Sequence, residues 1–480
     1  MIPAWSFLLA GRIVVGASQL VMMWVLTAFL DAREMGKYYL WMSVISAVSL
    51  LAINPITVYL QRHLHGWNEK KVARFAVRKL LLFLCVIGVG TSGILWGVNQ
   101  LAVGDLDLPA ACLGAAVSLL VVLSALAALF PGLCNLLGRP RAFVLFSSVD
   151  SWGRIGAICL FALILPRLAG TVLWAMAGWG AVSALLSGRY LYKRLQRPGD
   201  EHDPFSVRMI RRDLLAFVWP LAVSSGLYWG QSEGYRFILQ NLAGTDAVGR
   251  FVVAYSLGAA PMIALDTLFH QCYLPIFYRE IAAETAQDYA AAWNKYAEKV
   301  MSGFIPLGVC TACAGPFLAR WLVHANYRDI GIYAAFGAIS QLLRIFSASF
   351  YFGVVAQRNT SLLILPVVLG ALVALGGTFV LARQSPIFGV GASLILSHLV
   401  VSIGSYLQLR KKIAVRIPWA RMQEAVVWSV PLGLLLLFAH RLGWEAMPLS
   451  NLLTLALIGL GMLYIHWRLA EGAWLRVRAT

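Results

Sequence analysis

NTSLLILPVVLGALVALGGTFVLA, residues 359–382, runs for 24 residues without an aspartate, glutamate, lysine or arginine; after the single Arg383 the chain continues QSPIFGVGASLILSHLVVSIGSYLQL, residues 384–409. A helix rises ~1.5 Å per residue, so each run exceeds the roughly 20 residues needed to cross a hydrocarbon core of ~30 Å. Both runs are apolar on every face, whereas a strand of a membrane β-barrel has about ten residues of alternating polarity. The pair therefore reads as two spanning helices joined by a short turn. Uncharged runs of the same kind occupy 38–61, 80–104, 108–138 and 168–188. Of the 480 residues 60% are hydrophobic and 12% charged, about half the charged content of an ordinary soluble domain. The expected fold class is all-α, a polytopic membrane helix bundle.

Apolar windows between charged or Pro/Gly-rich breaks give about fourteen transmembrane helices, near 6–30, 36–60, 80–103, 110–137, 143–165, 170–192, 214–240, 248–274, 298–322, 330–355, 361–382, 388–408, 425–440 and 450–468. The thirteenth is short for a span and carries Pro431, so twelve or thirteen spans stay open as alternatives. Met1 to Leu30 has no basic segment ahead of its apolar stretch and is followed by further spans, so it is expected to be the first helix and not a cleaved signal peptide. With the N-terminus in the cytoplasm, 26 of the 39 Lys and Arg fall in inner loops or the C-terminal tail, eight fall outside and five lie within spans. That asymmetry orients helices in a bacterial inner membrane, and it puts both termini in the cytoplasm. The net charge of +18 then reads as attraction to membrane lipids, ~1 kcal/mol per basic residue near an anionic surface, and not as nucleic-acid binding.

The longest loops, 61–79, 193–213 and 275–297, are too short for a nucleotide-binding or glycosyltransferase domain, and no GxxxxGK[ST] phosphate loop occurs. No cofactor, catalytic residue or metal site is called for, and the chain is not expected to be an enzyme. Its organisation reads as an N-terminal six-helix lobe, 1–192; a cytoplasmic linker, 193–213; a C-terminal six-helix lobe, 214–408; and two additional helices with a basic cytoplasmic tail, 409–480. The seven cysteines all fall in spans and are odd in number, so no disulfide framework is indicated. Cys310 and Cys313 form a CxxC in mid-helix among small residues, which reads as packing and not as a redox or metal motif.

Met35-Gly36-Lys37-Tyr38 opens the second helix and Val248-Gly249-Arg250-Phe251 opens the eighth; each helix then carries a proline, Pro55 and Pro261. Six helices separate the two stretches, so both copies have the same orientation, as in two parallel halves that use alternating access. Pro55, Pro220, Pro261, Pro306 and Pro366 are kink candidates. The stretch Gly244-Thr245-Asp246-Ala247-Val248-Gly249-Arg250-Phe251, followed by Ala254-Tyr255 and Pro261, resembles the junction of helices seven and eight in polysaccharide flippases of the multidrug/oligosaccharidyl-lipid/polysaccharide exporter superfamily. Leu9-Ala10-Gly11-Arg12 through Leu30, then Met35-Gly36-Lys37-Tyr38, is similar to the matching junction of the first half. The resemblance implies a flippase that carries an undecaprenyl-diphosphate-linked oligosaccharide from the cytoplasmic to the periplasmic leaflet. O-antigen (lipopolysaccharide), capsule or exopolysaccharide biosynthesis would be served, with a polysaccharide polymerase or assembly proteins as partners. By analogy with the lipid II flippases of that superfamily, the helices near 425–440 and 450–468 would form a groove for a lipid tail.

Charge within a span costs several kcal/mol unless it meets water, a partner or the bundle interior. Arg12, Arg154, Arg236 and Arg344 are therefore the candidate substrate-binding residues, since a guanidinium stays charged and matches phosphate oxygens bidentately; Arg189 reads as snorkelling. Asp150 lies four residues before Arg154 and Glu233 three before Arg236, so each pair shares a helix face and reads equally as a structural ion pair or as part of a substrate or ion site. Arg12 and Arg344 have no acid within four residues, and their counter-charge must come from another helix, water or substrate. Asp266 and His270, spaced i,i+4, read as a proton or Na⁺ coupling pair or as a pair at the cytoplasmic end of helix eight. His398 reads as a hydrogen-bonded packing residue, and Tyr228, Trp229, Tyr235 and Tyr255 as sugar-stacking or packing aromatics. The alternative functions are a cation-coupled drug antiporter of the same superfamily, disfavoured because intramembrane arginines outnumber Asp150, Glu233 and Asp266, and a membrane polysaccharide polymerase or glycosyltransferase, disfavoured by short outer loops.

Overall fold

A computed structural model of the chain describes residues 4–69, 71, 73–101, 110–195, 207–282, 286–356, 362, 364–446 and 450–464 apart from 452, 455 and 463. The described residues are almost all helical and include no strand. Among them eleven segments are long and apolar enough to cross a membrane, and one of these, Leu221–Thr267, contains most of the seventh and eighth expected windows. Helix Ala73–Leu101 and the helical residues between 450 and 464 correspond to the third and fourteenth. The linker residues 196–206 and the basic tail 465–480 lie outside the described residues. The chain is thus a multi-pass membrane protein.

Helix α1 is Ala4–Phe29; α2 Ala32–Val48 and α3 Asn54–Glu69 are joined by a π-helical turn, Ser49–Ile53, into one rod. The cause is Pro55, which lacks an N–H and whose ring crowds the carbonyl of residue 51. Widening the ladder just before it, with the Asn54 N–H bonded to the Ser49 carbonyl, lets the helix pass the proline without ending. Then follow α4 Ala73–Leu101, α5 Ala110–Leu136, α6 Pro140–Ile164, α7 Ala169–Arg194, α8 Val207–Ser232, α9 Tyr235–Ala282, α10 Ala286–Leu322, α11 Ala334–Ala356, α12 Ile364–Leu381, α13 Pro386–Arg410 and α14 Trp419–Arg441. The thirteenth window is a full helix of 23 residues that contains Pro431. The seventh window differs from expectation: α8 stops at Ser232, the chain turns at Glu233-Gly234, and a short helix from Tyr235 leads to Gly244, whose φ of 85° breaks α9. A left-handed φ is cheap only for glycine; Gly244 falls in the expected junction between the seventh and eighth windows, whereas hydropathy runs straight through the turn at Glu233-Gly234 and conceals it.

By contacts the chain divides into Met1–Leu30 with Lys37–Trp229, and Asp31–Gly36 with Gly230–Thr480. In the first unit α5 is the buried helix, with Ala116, Val117, Leu120 and Leu133 almost fully enclosed. It is clasped by the small-residue face of α7, where Gly180 meets Leu123 and Gly188 meets Phe130. Lipid tails are as apolar as leucine, so helices in a bilayer associate chiefly through close packing, and small residues permit it.

The second unit has two reciprocal glycine crossings. A Cβ on Gly36 would strike the Thr245 carbonyl and one on Gly249 the Ala32 carbonyl, so each glycine faces the carbonyl four residues before the other. Gly258 and Gly337 form a similar crossing between α9 and α11, each meeting the carbonyl three residues before the other, Ala334 and Tyr255. Around Trp293, whose Nε1 donates to the Ser349 carbonyl at 3.0 Å, an aromatic core gathers Phe277, Tyr296, Phe304 and Phe350. Helix α14 is fastened to α10 by Arg421, which is buried and donates to Glu298 at 3.0 Å and Glu424 at 2.9 Å. Asn294 of α10 holds the connecting segment ahead of α14 through the Ala414 carbonyl and the Arg416 N–H.

Candidate functional site: ion pairs within the membrane

In the first unit, Arg12 of α1 sits over the Phe143 ring of α6, 5.5 Å from its centroid. Arg154 lies eleven residues further along α6, or ~16 Å along the helix axis. Its Nε donates to Asp150 Oδ2 at 3.1 Å, and its NH1 approaches Ser124 of α5 at 3.5 Å. Asp150 Oδ1 is buried with no hydrogen-bond partner among the described residues. The i,i+4 spacing read from sequence therefore closes as an ion pair, partly reachable by solvent at 17% and 16% exposure. Arg189 is exposed on α7, as snorkelling requires.

The second unit contains a larger cluster. Arg236 donates to Glu233 at 3.0 Å, the turn between α8 and α9 placing both at the same bend. Arg344 of α11 receives from α9 the counter-charge that its own helix lacks: NH2 donates to Asp266 Oδ2 at 3.0 Å and Nε to the Gln341 side-chain oxygen. Gln341 in turn donates to the Tyr255 hydroxyl at 3.3 Å. Two of the three guanidinium nitrogens are thus held in place, while the side chain stays 24% exposed against 9% for Asp266.

His270 Nδ1 stands 2.8 Å from both the Asp266 carbonyl and Asp266 Oδ1. The hydrogen-bond geometry favours the carbonyl, so Asp266 Oδ1 and His270 Nε2 are left buried without a hydrogen-bond partner among the described residues. Buried groups of this kind call for water, an ion or a proton to satisfy them. Two ligands do not make a metal site, and no cluster of three or more His, Cys, Asp or Glu occurs among the described residues. Helix α9 runs on to Ala282, sixteen residues past Asp266, and Asp266 is 7% exposed; the pair is interior and not at a helix end.

Two residues that hold these groups escaped the sequence reading. Gln341 carries the signal, a glutamine three residues before an arginine in an otherwise apolar window. Gln231 is 2% exposed; it donates to Ser397 at 2.9 Å and lies 3.4 Å from His398 Nδ1, and only the tertiary structure joins α8 to α13 there. Tyr235, Phe251 and Tyr255 form successive ring contacts at 5.5 and 5.9 Å, a packed aromatic run from beside Arg236 to the Gln341 hydrogen bond. Arg344, Asp266 and His270 are therefore brought together, Arg236 with Glu233 stands at the other end of that run, and Arg12 and Arg154 belong to the first unit. Cys310 and Cys313 are free thiols in α10; Cys313 packs with Ala314, Phe317 and Leu436.

The fold is shared with solved transporters. An inward-facing multidrug resistance MATE family transporter of the MOP superfamily superposes with a TM-score of 0.65 at 14% identity, over 83% of this chain and 94% of that one. The lipid II flippase MurJ, in an inward closed conformation, superposes with a TM-score of 0.64 at 11% identity, over 98% of this chain and 99% of that one. A mutant of the Vibrio cholerae MATE transporter VcmN gives a TM-score of 0.59 at 13% identity, over 85% and 94%. A search of curated proteins by sequence finds no significant match. The family model described as "Polysaccharide biosynthesis protein" matches residues 3–280, more than half of the chain, and the protein belongs to that family.

Proposed function

We propose that this protein is a flippase that moves an undecaprenyl-diphosphate-linked oligosaccharide from the cytoplasmic to the periplasmic leaflet of a bacterial inner membrane by alternating access, for surface polysaccharide assembly. It performs no covalent chemistry in this reading, and a polymerase or other assembly protein receives the sugar outside. The observation that carries the proposal is Arg344, held within an apolar helix by Asp266 and Gln341, its third guanidinium nitrogen without a hydrogen-bond partner among the described residues. A diphosphate needs a guanidinium already oriented, because a planar donor fork binds phosphate oxygens bidentately and loses little entropy when fixed beforehand. Arg154, Arg236 and Arg12 supply further positive charge, each restrained by its neighbours. The Arg344 and Asp266 charges cancel while they are paired. Asp266 stands between Arg344 and His270, and in this reading that trio is where a coupling ion would act on the arginine.

The test is flipping by the purified full-length chain in vesicles, with a fluorescent undecaprenyl-diphosphate oligosaccharide whose outer-leaflet fraction is read by quenching. Wild type equilibrates the leaflets, and R344A slows this at least tenfold while R344K retains part of the rate. If R12A, R154A, R236A and R344A variants, each expressed normally, all restored surface polysaccharide in a null strain, the proposal would be wrong. The buried Asp266 Oδ1 and His270 Nε2, neither with a hydrogen-bond partner among the described residues, favour one second reading, a cation-coupled drug antiporter. That reading predicts export of a lipophilic cation such as ethidium that D266N abolishes, with no lipid flipping.

A further inference from the structure

Helices α12 and α13 leave a groove of about 490 Å³ between them, lined by Leu365, Pro366, Leu369, Gly404 and Leu407, with Gln408, Arg410 and Lys411 at its mouth. The two helices close on each other at Gly404, where a Cβ would come within 2.9 Å of Pro366 Cβ. Leu365, Leu369 and Leu407 are exposed, so the apolar walls face outward, where lipid tails lie in a membrane. Arg410 and Lys411 are also exposed, and neither has a carboxylate partner among the described residues. The surrounding sequence offers none, since no aspartate or glutamate occurs from Ile330 to Gln423. Nothing in the function proposed above uses these residues.

We propose that this groove binds an anionic glycerophospholipid, the phosphate on Arg410 and Lys411 and the upper part of one acyl chain along Leu407, Gly404 and Leu369. Charge complementarity selects an anion: two uncompensated cations at a membrane surface draw anionic head groups. Length selects the kind of lipid. From Gly404 to Lys411 is about two helical turns, roughly 10 Å, which stays within one leaflet of a ~30 Å hydrocarbon core. A phospholipid chain fits that depth, whereas a polyprenyl chain would extend far past it. Gln408 adds an uncharged donor between the apolar wall and the cations, level with the ester region of such a lipid.

The experiment uses the full-length chain in detergent, titrated separately with dioleoylphosphatidylglycerol and dioleoylphosphatidylcholine, with bound lipid counted by native mass spectrometry. Wild type is expected to retain the phosphatidylglycerol at a concentration at least tenfold below that for phosphatidylcholine. The double variant R410Q/K411Q weakens phosphatidylglycerol binding ~25-fold, at about fivefold per cation, and leaves phosphatidylcholine unchanged. The control R139Q/R141Q, exposed basic residues that do not line the groove, changes neither. Leu407→Trp, on an exposed wall, obstructs the groove and lowers phosphatidylglycerol retention without touching the packed side of α13. Equal retention of the two lipids overturns the proposal, as does an equal loss in the R139Q/R141Q control, which would mean diffuse surface charge. Displacement of the phospholipid by glycerol phosphate alone, or by undecaprenyl phosphate at lower concentration, overturns it too, by removing the acyl chain or changing the occupant.

Discussion

Arg344 shows how a single residue changes meaning between sequence and structure. Its own helix offers no acid, and Asp266, 78 residues earlier, reads in sequence as the partner of His270; the fold makes Asp266 the partner of both. Removing one member of a buried pair leaves a bare charge and costs ~3–5 kcal/mol, whereas neutralising both is often nearly neutral. R344M alone is therefore expected to lower the melting temperature of the purified chain, and R344M/D266N to recover most of that loss. Transport separates the two roles: if the pair only holds helices together, the double variant should flip substrate normally, and if Arg344 contacts the diphosphate it stays inactive. The i,i+4 pair Asp150–Arg154 was legible because helical periodicity alone puts both on one face of α6; Glu233 and Arg236 meet as expected, but across the turn between α8 and α9 and not on one helix face. Gln341 and Gln231 were not legible, because a lone amide in an apolar window has no periodic partner to announce it.

At the scale of elements, two glycine pairs determine how closely α9 can lie to the start of α2 and to α11. Gly36 and Gly249 stand at equivalent places in the two junction motifs, and each meets the backbone of the other's preceding turn. Valine at either position forces the helices apart. A loss of ~1–3 kcal/mol, typical of overpacking, is expected for G249V, measured by thermal unfolding in detergent; no change would mean that the crossing is looser than the contact requires. Helix α14 is fastened by Arg421, so R421M should free it from α10 while leaving α9 to α13 folded. Limited proteolysis is the readout, with cleavage in 411–418 expected to accelerate severalfold over wild type. Pro55 announces a kink in the sequence but not the form the kink takes. The π-turn at Ser49–Ile53 is one of several ways to accommodate a proline, and the packing around it selects among them.

For the whole molecule the charge asymmetry makes a prediction that no packing detail alters. In a cysteine-free background, cysteines placed at Gln384 and Lys412 bracket α13 and should react with a membrane-impermeant maleimide from opposite sides, Lys412 only after the membrane is opened. Labelling of both from outside would reverse or break the topology.

Spans, helical class and the Asp150–Arg154 pair followed from sequence alone, because lipid requires every backbone polar group to be bonded within its own helix and 3.6-residue periodicity fixes near neighbours. The break of the seventh window at Glu233-Gly234, the π-turn, the assignment of Asp31–Gly36 to the second unit and the joining of Asp266 to Arg344 were decided only in three dimensions. Each depends on which helices become neighbours. In a medium as apolar as the side chains themselves, that choice rests on small-residue packing and a few buried polar contacts, and hydropathy carries almost none of that information.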